Sequence, residues 1–273
     1  GDSSGGRPPI NLTLCARAGF CIAVDIGVRQ VGLLLTDLNN DIISRSSFSI
    51  EAPDFSHVYR QLYTSLDRLI QEIPASSYGL IGISLSVRGI IDLDGIIRFI
   101  PKLKWHNIDL KSLLEQRYQV PVFIDNDGNL AASMEYRLHP QYRELTVLSI
   151  TDVISCGMIT NGQLIRGYLG FANAVGHHTI NMEETRQCSC GKYGCWEQYC
   201  SEQCLIDEMN LRLETPISDI DSFIRLVKEQ NSDALEILDR YIENLAIGLS
   251  NIIFFINCEM IILNSRLIQS LPY

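Results

Sequence analysis

The N-terminal part of the chain alternates between apolar runs and short polar breaks. Apolar-rich stretches at 21–27, 31–38 and 41–50 are separated by turn-forming residues, among them Asn39 and Asn40. Apolar runs of this length between turn signals are typical of β-strands. Because the three stretches follow one another closely, the pattern predicts an antiparallel meander of three strands.

After the meander, the period of the apolar positions changes from that of a strand to that of a helix. Asp54 precedes the change and has the side chain of a good N-cap. The apolar residues that recur at helical spacing are Phe55, Val58, Leu62, Leu66, Leu69 and Ile70. This spacing predicts an amphipathic helix that buries one face.

Strands and helices then recur in a similar order. The pattern predicts strands at 80–87 and 120–125, helices at 110–117 and 129–138, further strands between 145 and 167, helices at 220–228 and 233–255, and a last strand at 260–265. Asn161-Gly162 is a strong signal for a two-residue hairpin turn. The repetition indicates two α/β lobes around a cleft.

Composition and charge narrow the class of protein. The chain has 273 residues, of which 46% are hydrophobic, and a formal net charge of −10. Such a chain can bury one large or two medium cores, and its acidic body would repel nucleic acid. No apolar run reaches the roughly 18 residues that a membrane span needs. We therefore expect a soluble protein with no membrane partner, and the few, unevenly spaced cysteines indicate a reducing cytoplasm.

The strongest chemical signal is a cysteine cluster in the second half of the chain. Cys188, Cys190 and Cys195 follow the spacing C-x-C-x4-C, and the glycines between them allow a tight fold. Either His177 or His178 can supply a fourth ligand, which completes the donor set of a closed tetrahedral zinc site. Such a metal would organise the loop and would not activate water. The alternative is three buried thiols without a metal.

Four segments, in order, resemble the ROK family of sugar kinases and sugar-responsive repressors. Residues 25–27 (DIG) are similar to the family's first phosphate motif, and residues 88–95 (RGIIDLDG) to its sugar-side loop. Residues 105–135 resemble the stretch that contains its Asn-Asp-x-Asn motif, and residues 176–197 resemble its zinc signature. The resemblance implies an α/β, actin-like (ribonuclease H-like), two-lobed ATPase fold with a zinc-binding knuckle. It also implies cytoplasmic oligomers, often dimers.

The resemblance also implies roles for single residues. Asn126 and Asp127 match the pair that hydrogen-bonds the sugar, and in a kinase Asp127 would be the catalytic base. His177 matches a histidine that binds zinc on one side and approaches the sugar on the other. Glu197 matches a sugar-contacting glutamate, and Gly89 belongs to the sugar-side loop. The implied zinc ligands are His177, Cys188, Cys190 and Cys195. The residues alone leave Asp127 open as a helix N-cap and Glu197 open as a solvated surface charge.

The phosphate motifs depart from the pattern of the kinases. The first usually reads Asp-Ile-Gly-Gly-Thr, whereas Val28 and Arg29 follow the glycine here. The usual Gly-Thr-Gly-x-Gly turn aligns with residues 151–155, which contain no glycine and include Asp152, and the final Gly-Gly aligns with residues 264–266. Nucleotide phosphates need close approach of the backbone, which these side chains obstruct. We therefore expect no ATP binding and no catalytic residue.

Two further departures concern the sugar. Ala174 stands three residues before the predicted zinc histidine, where the family usually has a sugar-binding glutamate, and Arg88 replaces a usual proline. The expected consequence is a different sugar or a sugar phosphate as the effector, or weak binding. Arg88 could meet a phosphate or carboxylate of that ligand, or it could form a surface salt bridge.

The ends of the chain bear on its organisation. Residues 1–19 contain SSGGRPP, which resembles the linker between a winged helix-turn-helix domain and the body of the family's repressors. In such a linker Arg7 could enter a narrow minor groove of DNA. We expect a first lobe at 20–128 and a second at 129–273. The family usually continues beyond the last strand, so the second lobe is expected to be truncated or naturally short.

Taken together, these patterns predict the sugar-sensing and oligomerisation domain of a bacterial ROK-type transcriptional repressor. Its expected partners are a sugar or sugar phosphate, operator DNA bound through an N-terminal domain and the linker, and further copies of itself in a dimer or tetramer. Its expected cofactor is structural Zn²⁺, without ATP. One alternative is a ROK sugar kinase with a divergent phosphate loop, and another is a scaffold that binds no ligand.

Overall fold

The structure, a computed structural model, describes residues 13–271. Arg7 and the SSGGRPP segment lie outside the described residues. The strands are β1 Phe20–Ile26, β2 Gln30–Asp37, β3 Ile42–Ser49, β4 Leu80–Val87, β5 Ile90–Ile91, β6 Ile97–Ile100, β7 Trp105–Ile108, β8 Val122–Asn126, β9 Leu145–Ile150, β10 Ile154–Thr160, β11 Gln163–Leu164 and β12 Met260–Ser265. The α-helices are α1 Phe55–Gln71, α2 Leu110–Tyr118, α3 Asp127–Leu138, α4 Glu197–Cys200, α5 Glu202–Asn210, α6 Ile220–Lys228, α7 Ser232–Ile256 and α8 Arg266–Ser270.

The first lobe is built on a five-stranded sheet in the order β3-β2-β1-β4-β8. β1, β2 and β3 pair antiparallel, which confirms the predicted meander, and β4 and β8 join β1 in parallel. Asp54 caps α1 by accepting a hydrogen bond from the His57 amide at 2.9 Å, as predicted. Because β1, β4 and β8 are parallel, their carboxyl ends meet at one edge of the sheet.

A second sheet, formed by β5, β6 and β7, was not predicted from the apolar pattern. Its strands have only two to four residues, too few to show an alternation of apolar and polar positions. Trp105 on β7 is buried in the core of the first lobe, where its Nε1 donates to the Pro53 carbonyl at 2.6 Å. The sugar-side segment at 88–95 is therefore held partly by strand β5 and is not wholly a loop.

The second lobe is built on a four-stranded sheet in the order β11-β10-β9-β12. Asn161 and Gly162 turn the chain between β10 and β11 with φ angles of 53° and 75°, which confirms the predicted hairpin. Helices α4 to α8 share one hydrophobic core with this sheet. Within residues 13–271, no helix combines the length and the apolar composition that crossing a bilayer requires.

Helix α3 connects the two lobes. It begins directly after β8 of the first sheet and packs on β9 and β10 of the second. Gly128 on α3 lies against β10 so closely that a Cβ at this position would come within 2.5 Å of the Cys156 backbone. A Cβ on Gly157 of β10 would in turn collide with the Gly128 carbonyl. The absence of both side chains thus brings the start of α3, and with it Asp127, against β10.

Candidate functional site

Asn126, the last residue of β8, ties two segments together. Its Oδ1 accepts hydrogen bonds from the amides of Gly128 at 2.9 Å and Asn129 at 3.3 Å, so it is the N-cap of α3. Its Nδ2 donates to the Gly89 carbonyl at 2.9 Å. The amide side chain therefore fixes the start of α3 to the segment that follows β4.

Asp127 is the first residue of α3, and its carboxylate faces β10. Oδ2 accepts a hydrogen bond from the Ser155 hydroxyl at 2.7 Å, while Oδ1 is buried and finds no partner within residues 13–271. Burial raises the pKa of Asp127 from 3.8 to about 6, against the opposing effects of the Ser155 hydrogen bond and the Arg88 charge. The interpretation of Asp127 as the N-cap is wrong, since Asn126 has that role. Asp127 instead has a carboxylate oxygen free to accept a hydrogen bond.

Arg88, directly after β4, lies between two carboxylates. Its Nη2 is 3.2 Å from Asp25 Oδ2, its Nη1 is 3.4 Å from Asp25 Oδ1, and its Nε is 3.9 Å from Asp127 Oδ2. Only 18% of the Arg88 side chain is exposed. Arg88 thus forms a salt bridge, as one of the two interpretations held, with its own side chain largely buried beside Asp127 and the Asp25 carboxylate half exposed.

Glu197 opens α4 and is buried. Its Oε2 accepts a hydrogen bond from the Ile154 amide at 3.2 Å, and its Oε1 lies 3.7 Å from Lys102 Nζ. Burial raises the pKa of Glu197, and the Lys102 charge opposes this effect. The alternative of a solvated surface charge is therefore wrong, because 4% of the residue is exposed.

A cavity of about 300 Å³ lies among these side chains, with walls from both lobes. Its size is at the lower end of the range for small-molecule sites, about 300–1,000 Å³. The predicted sugar-binding residues that line it are Gly89, Asn126, His177 and Glu197. Asp127 adjoins it through Ser155, which does line it. We call these five predicted residues and this cavity the sugar side of the cleft.

Other lining residues carry the chemistry that the sequence motifs do not mark. Arg88, Lys102 and Lys192 bring positive charge to the wall, and Ala174 leaves its part of the wall apolar. Lys102 lies outside the four segments that carry the resemblance, and Lys192 lies within residues 176–197 but has no predicted role there. No sequence signal places Lys102 beside Glu197, since the two are distant in sequence and meet only through the fold.

The four predicted zinc ligands come together at one edge of the sugar side. The ligand atoms of His177, Cys188, Cys190 and Cys195 all lie within 4.8 Å of one another. The distance from Cys190 Sγ to Cys195 Sγ is 3.7 Å, and that from Cys188 Sγ to His177 Nδ1 is also 3.7 Å. A tetrahedral zinc ion with Zn–S bonds of about 2.3 Å spaces its ligands by about 3.8 Å. Both the donor set and the spacing therefore fit a metal ion, and the group contains His177 and not His178.

The Cys/His group and the cavity share their backbone segments. His177 ends the 3-10 turn Val175–His177 and also lines the cavity. Cys195 precedes Trp196 and Glu197, and Trp196 is fully buried with its Nε1 donating to the Asn244 carbonyl at 3.0 Å. A metal that fixes His177 and Cys195 would therefore also fix the position of Glu197.

The turn between β1 and β2 and the turn between β9 and β10 contain the segments that align with the first two phosphate motifs, and we call these two turns the phosphate side. Here Arg29 Nε lies 3.7 Å from Asp152 Oδ2, and Arg29 also donates to the Gln203 side chain on α5. Arg29 and Asp152, each expected to obstruct phosphate on its own, thus pair with each other across the cleft. The sequence gives no sign of this pairing.

Two α/β lobes with a polar cavity between them and a Cys/His group at its edge are the architecture of an actin-like sugar kinase or repressor. The chain belongs to the ROK family, since the ROK family model matches residues 21–272. It is 36% identical, over 274 aligned residues, to the xylose repressor of Bacillus subtilis (strain 168), and the alignment covers 100% of this chain and 71% of that repressor. This confirms the resemblance seen in the sequence.

Solved structures of both kinds of ROK protein share the fold. A ROK family transcriptional regulator, a homologue of the E. coli MLC protein, matches with a TM-score of 0.81 at 20% identity, covering 97% of this chain and 69% of that one. A ROK family glucokinase from Streptomyces griseus, in complex with glucose and AMPPNP, matches with a TM-score of 0.79 at 21% identity, covering 90% of this chain and 82% of that one. The predicted α/β actin-like fold is confirmed, and because a regulator and a kinase share it, the fold does not choose between them.

Proposed function

We propose that this chain is the sugar-sensing domain of a ROK-type transcriptional repressor and that it does not transfer phosphate. The observation that carries the proposal is the contrast across the cleft. The sugar side keeps polar groups around a cavity, whereas an ion pair between Arg29 and Asp152 spans the phosphate side. The 36% identity to a xylose repressor along the whole chain supports the same proposal.

The effector in this proposal is a monosaccharide or its phosphate. Carboxylate, amide and imidazole groups can accept and donate hydrogen bonds in the pairs that sugar hydroxyls require. Glu197 and the free Oδ1 of Asp127 would accept from hydroxyl groups, and Asn126 has a second N–H to donate. Zn²⁺ held by the Cys/His group would supply no catalysis, because four protein ligands close its coordination sphere.

The same proposal includes the partners expected from the sequence. Operator DNA would be bound through an N-terminal domain and the linker that contains Arg7, and the chain would assemble into a dimer or tetramer. The proposed lobes are 20–128 and 129–273. Sugar binding would then favour one arrangement of the lobes and so change how the paired DNA-binding domains are spaced.

A ligand panel on the purified chain tests the proposal. Thermal shift and calorimetry would be run with D-xylose, other pentoses and hexoses, their phosphates, and AMPPNP with magnesium. A sugar present at about 100 times its Kd should stabilise the fold by about 2.7 kcal/mol, and AMPPNP should have no effect. Binding of no sugar or sugar phosphate would overturn the sugar-sensing proposal. Release of ADP from ATP in the presence of a hexose would overturn the proposal that phosphate is not transferred.

The second candidate function is a sugar kinase, and Asp127 is the observation that favours it. A carboxylate with a pKa of about 6 is well suited to take a proton from a hydroxyl near neutral pH. In a kinase, Asp127→Asn would abolish ADP release while leaving AMPPNP binding intact. The proposed repressor neither releases ADP nor binds AMPPNP, so Asp127→Asn would change neither property.

A further inference from the structure

Arg88 lies where the two sides of the cleft meet. It follows β4, with Asp25 near the end of β1 on one side and Asp127 at the start of α3 on the other. Arg88 also lies close to the turn between β1 and β2, since a Cβ on Gly27 would lie 2.9 Å from Arg88 Nη1. The guanidinium therefore stands between the phosphate turn and the carboxylate next to the sugar cavity.

Asp25 holds the guanidinium in a fixed orientation. Both terminal nitrogens of Arg88 face the two oxygens of Asp25, at 3.4 and 3.2 Å, in the fork geometry that arginine and a carboxylate favour. The remaining nitrogen, Nε, lies 3.9 Å from Asp127 Oδ2. Lysine has a single charged nitrogen and would make only part of this arrangement.

Arg88 is the group with a positive charge that favours the ionised form of Asp127. The charged groups that face Asp127 are Arg88, which favours its ionised form, and Asp25, which disfavours it. The other facing groups are neutral donors, the Ser155 hydroxyl on β10 and the Gly128 amide on α3. Without Arg88, the carboxylates of Asp25 and Asp127 would act on each other with no cation between them.

We propose that Arg88 is a positioning residue of the sugar site: paired with Asp25, it holds Asp127 ionised behind Ser155 at the cavity wall, and the buried Oδ1 would accept a hydrogen bond when a sugar hydroxyl enters. The nature of the ligand in this inference rests on the proposed function, whereas the electrostatic arrangement of Arg88, Asp25 and Asp127 does not. Arg88 would also have a second effect, because its guanidinium lies between Asp127 and the turn between β1 and β2. A sugar hydroxyl at Asp127 would face a fixed cation in place of a phosphoryl donor.

The first experiment needs no sugar. The carboxyl pKa of Asp127 would be measured by ¹³C NMR in the ligand-free chain for the wild type, Arg88→Ala, Arg88→Lys and the double variant Arg88→Ala/Asp25→Asn. We expect a pKa near 6 in the wild type, an upward shift in Arg88→Ala, and a smaller upward shift in the other two. An Asp127 pKa that is the same in all four proteins would overturn the proposal. Arg88→Lys keeps the test valid if Arg88→Ala fails to fold.

The second experiment measures the Kd for D-xylose, or for the best sugar of the panel, from pH 5.5 to 8.5. Because the ionised form of Asp127 binds, wild-type affinity should fall as the pH drops through about 6. In Arg88→Ala the fall should begin at higher pH, with a loss on the order of fivefold at pH 7 that is recovered by pH 8.5. Arg88→Lys should restore most of the affinity at pH 7.

Arg68→Ala is the matched control, since Arg68 pairs with Glu72 on the exposed face of α1, away from the cavity. It should leave both the Kd and its pH profile unchanged. A wild-type pH profile in Arg88→Ala would overturn the proposal, whatever its Kd. If the wild type binds no sugar, the proposed function fails, and the NMR experiment still decides whether Arg88 sets the ionisation of Asp127.

Discussion

The sugar side and the phosphate side of the cleft are built in the same way and differ in what their side chains contact. Both lie where strand ends of the two lobes face each other. On the sugar side, Asp127 and Glu197 are buried beside a cavity, and Asp127 Oδ1 has no partner within the described residues. On the phosphate side, Arg29 and Asp152 are partly exposed and contact each other.

Under the proposed function, the difference is that between a binding site that is kept and one that is lost on the same scaffold. A buried polar atom without a partner costs free energy in the absence of ligand, so the sugar side carries an unfavourable contribution that a ligand would relieve. The phosphate side has no such contribution from its arginine and aspartate, because they neutralise each other. We therefore expect substitutions on the sugar side to have much larger effects than substitutions on the phosphate side.

The largest effect is expected from loss of the metal. Cys195→Ser, or removal of the metal with a chelator, should lower the free energy of unfolding by about 3 kcal/mol or more and the Tm by roughly 10 °C. Sugar binding should also be lost, because Cys195 is next to Trp196 and Glu197. Metal analysis of the wild type should find about one zinc per chain. Cys15→Ser, at an exposed cysteine, is the control and should change neither quantity. A metal-free chain with full sugar affinity would contradict this prediction.

The next largest effect is expected from a substitution that disturbs the close packing of α3 on β10. Gly157→Ala places a methyl group against the Gly128 carbonyl, so the helix that carries Asp127 must move. We expect a loss of about 2–3 kcal/mol in the free energy of unfolding, measured by urea denaturation, together with weaker sugar binding. Gly32→Ala on β2 is the matched control, because a Cβ there meets no atom within 4 Å. Equal destabilisation by the two variants would show that the close approach of α3 to β10 is unimportant.

Asp127→Asn should have opposite effects on stability and on sugar binding, because it should stabilise the ligand-free chain at high pH and weaken binding. The folded-state pKa of Asp127 is raised to about 6, so its contribution to stability is present at low pH and is lost as the pH rises through that value. The asparagine variant avoids this loss. At pH 8 the ligand-free variant should therefore be more stable than the wild type by about 1–2 kcal/mol, and at pH 4 the difference should vanish.

The same substitution should weaken sugar binding by about 10- to 100-fold, since a hydrogen bond to a charged acceptor is lost. Thermal unfolding across pH and calorimetry at pH 7.5 measure the two effects. Asp239→Asn, at an exposed position of α7, is the control and should alter neither. A variant that loses stability at pH 8 would mean that Asp127 is not held in an unfavourable ionised state.

The regular elements of the fold could be predicted from the sequence because their signals are local. The helix after Asp54 has an apolar face and a cap within one segment, and the hairpin at Asn161-Gly162 has its turn chemistry in two adjacent residues. The convergence of the Cys/His group was equally predictable, because three of its four members lie within eight positions. The short strands β5 to β7 were not, since they form only by pairing with one another.

The electrostatics of the site could not be predicted in the same way. Residue types at Arg29 and Asp152 predicted that nucleotide phosphates would be poorly accommodated, but they did not predict what these side chains, or Arg88, contact. Arg29 and Gln203 lie 174 positions apart and meet only because the two lobes face each other. Lys102 next to Glu197 is a contact of the same kind. Motif spacing thus located the sugar side, whereas the pairing of charges required the fold.

The smallest effect is expected on the phosphate side, from the pair of Arg29 and Asp152. Exposed ion pairs contribute about 0.2–1 kcal/mol, and 55% of the Arg29 side chain is exposed. A double-mutant cycle with Arg29→Ala and Asp152→Ala should therefore give a coupling free energy in this range, and the coupling should diminish as salt is added. The charge reversal Arg29→Asp/Asp152→Arg should recover part of the coupling, whereas each single reversal should not.

The control for this cycle is the pair Arg68 and Glu72, which lies at the C-terminal end of α1 in the first lobe and cannot join the lobes. Its coupling should be of similar size but should leave the Kd for sugar unchanged. If Arg29 and Asp152 do join the lobes, their coupling should differ between the sugar-free and sugar-bound chain, because the sugar cavity has walls from both lobes. A coupling of zero in both states would mean that the two turns are merely adjacent. The phosphate side would then be a lost site and not a contact that helps to hold the cleft.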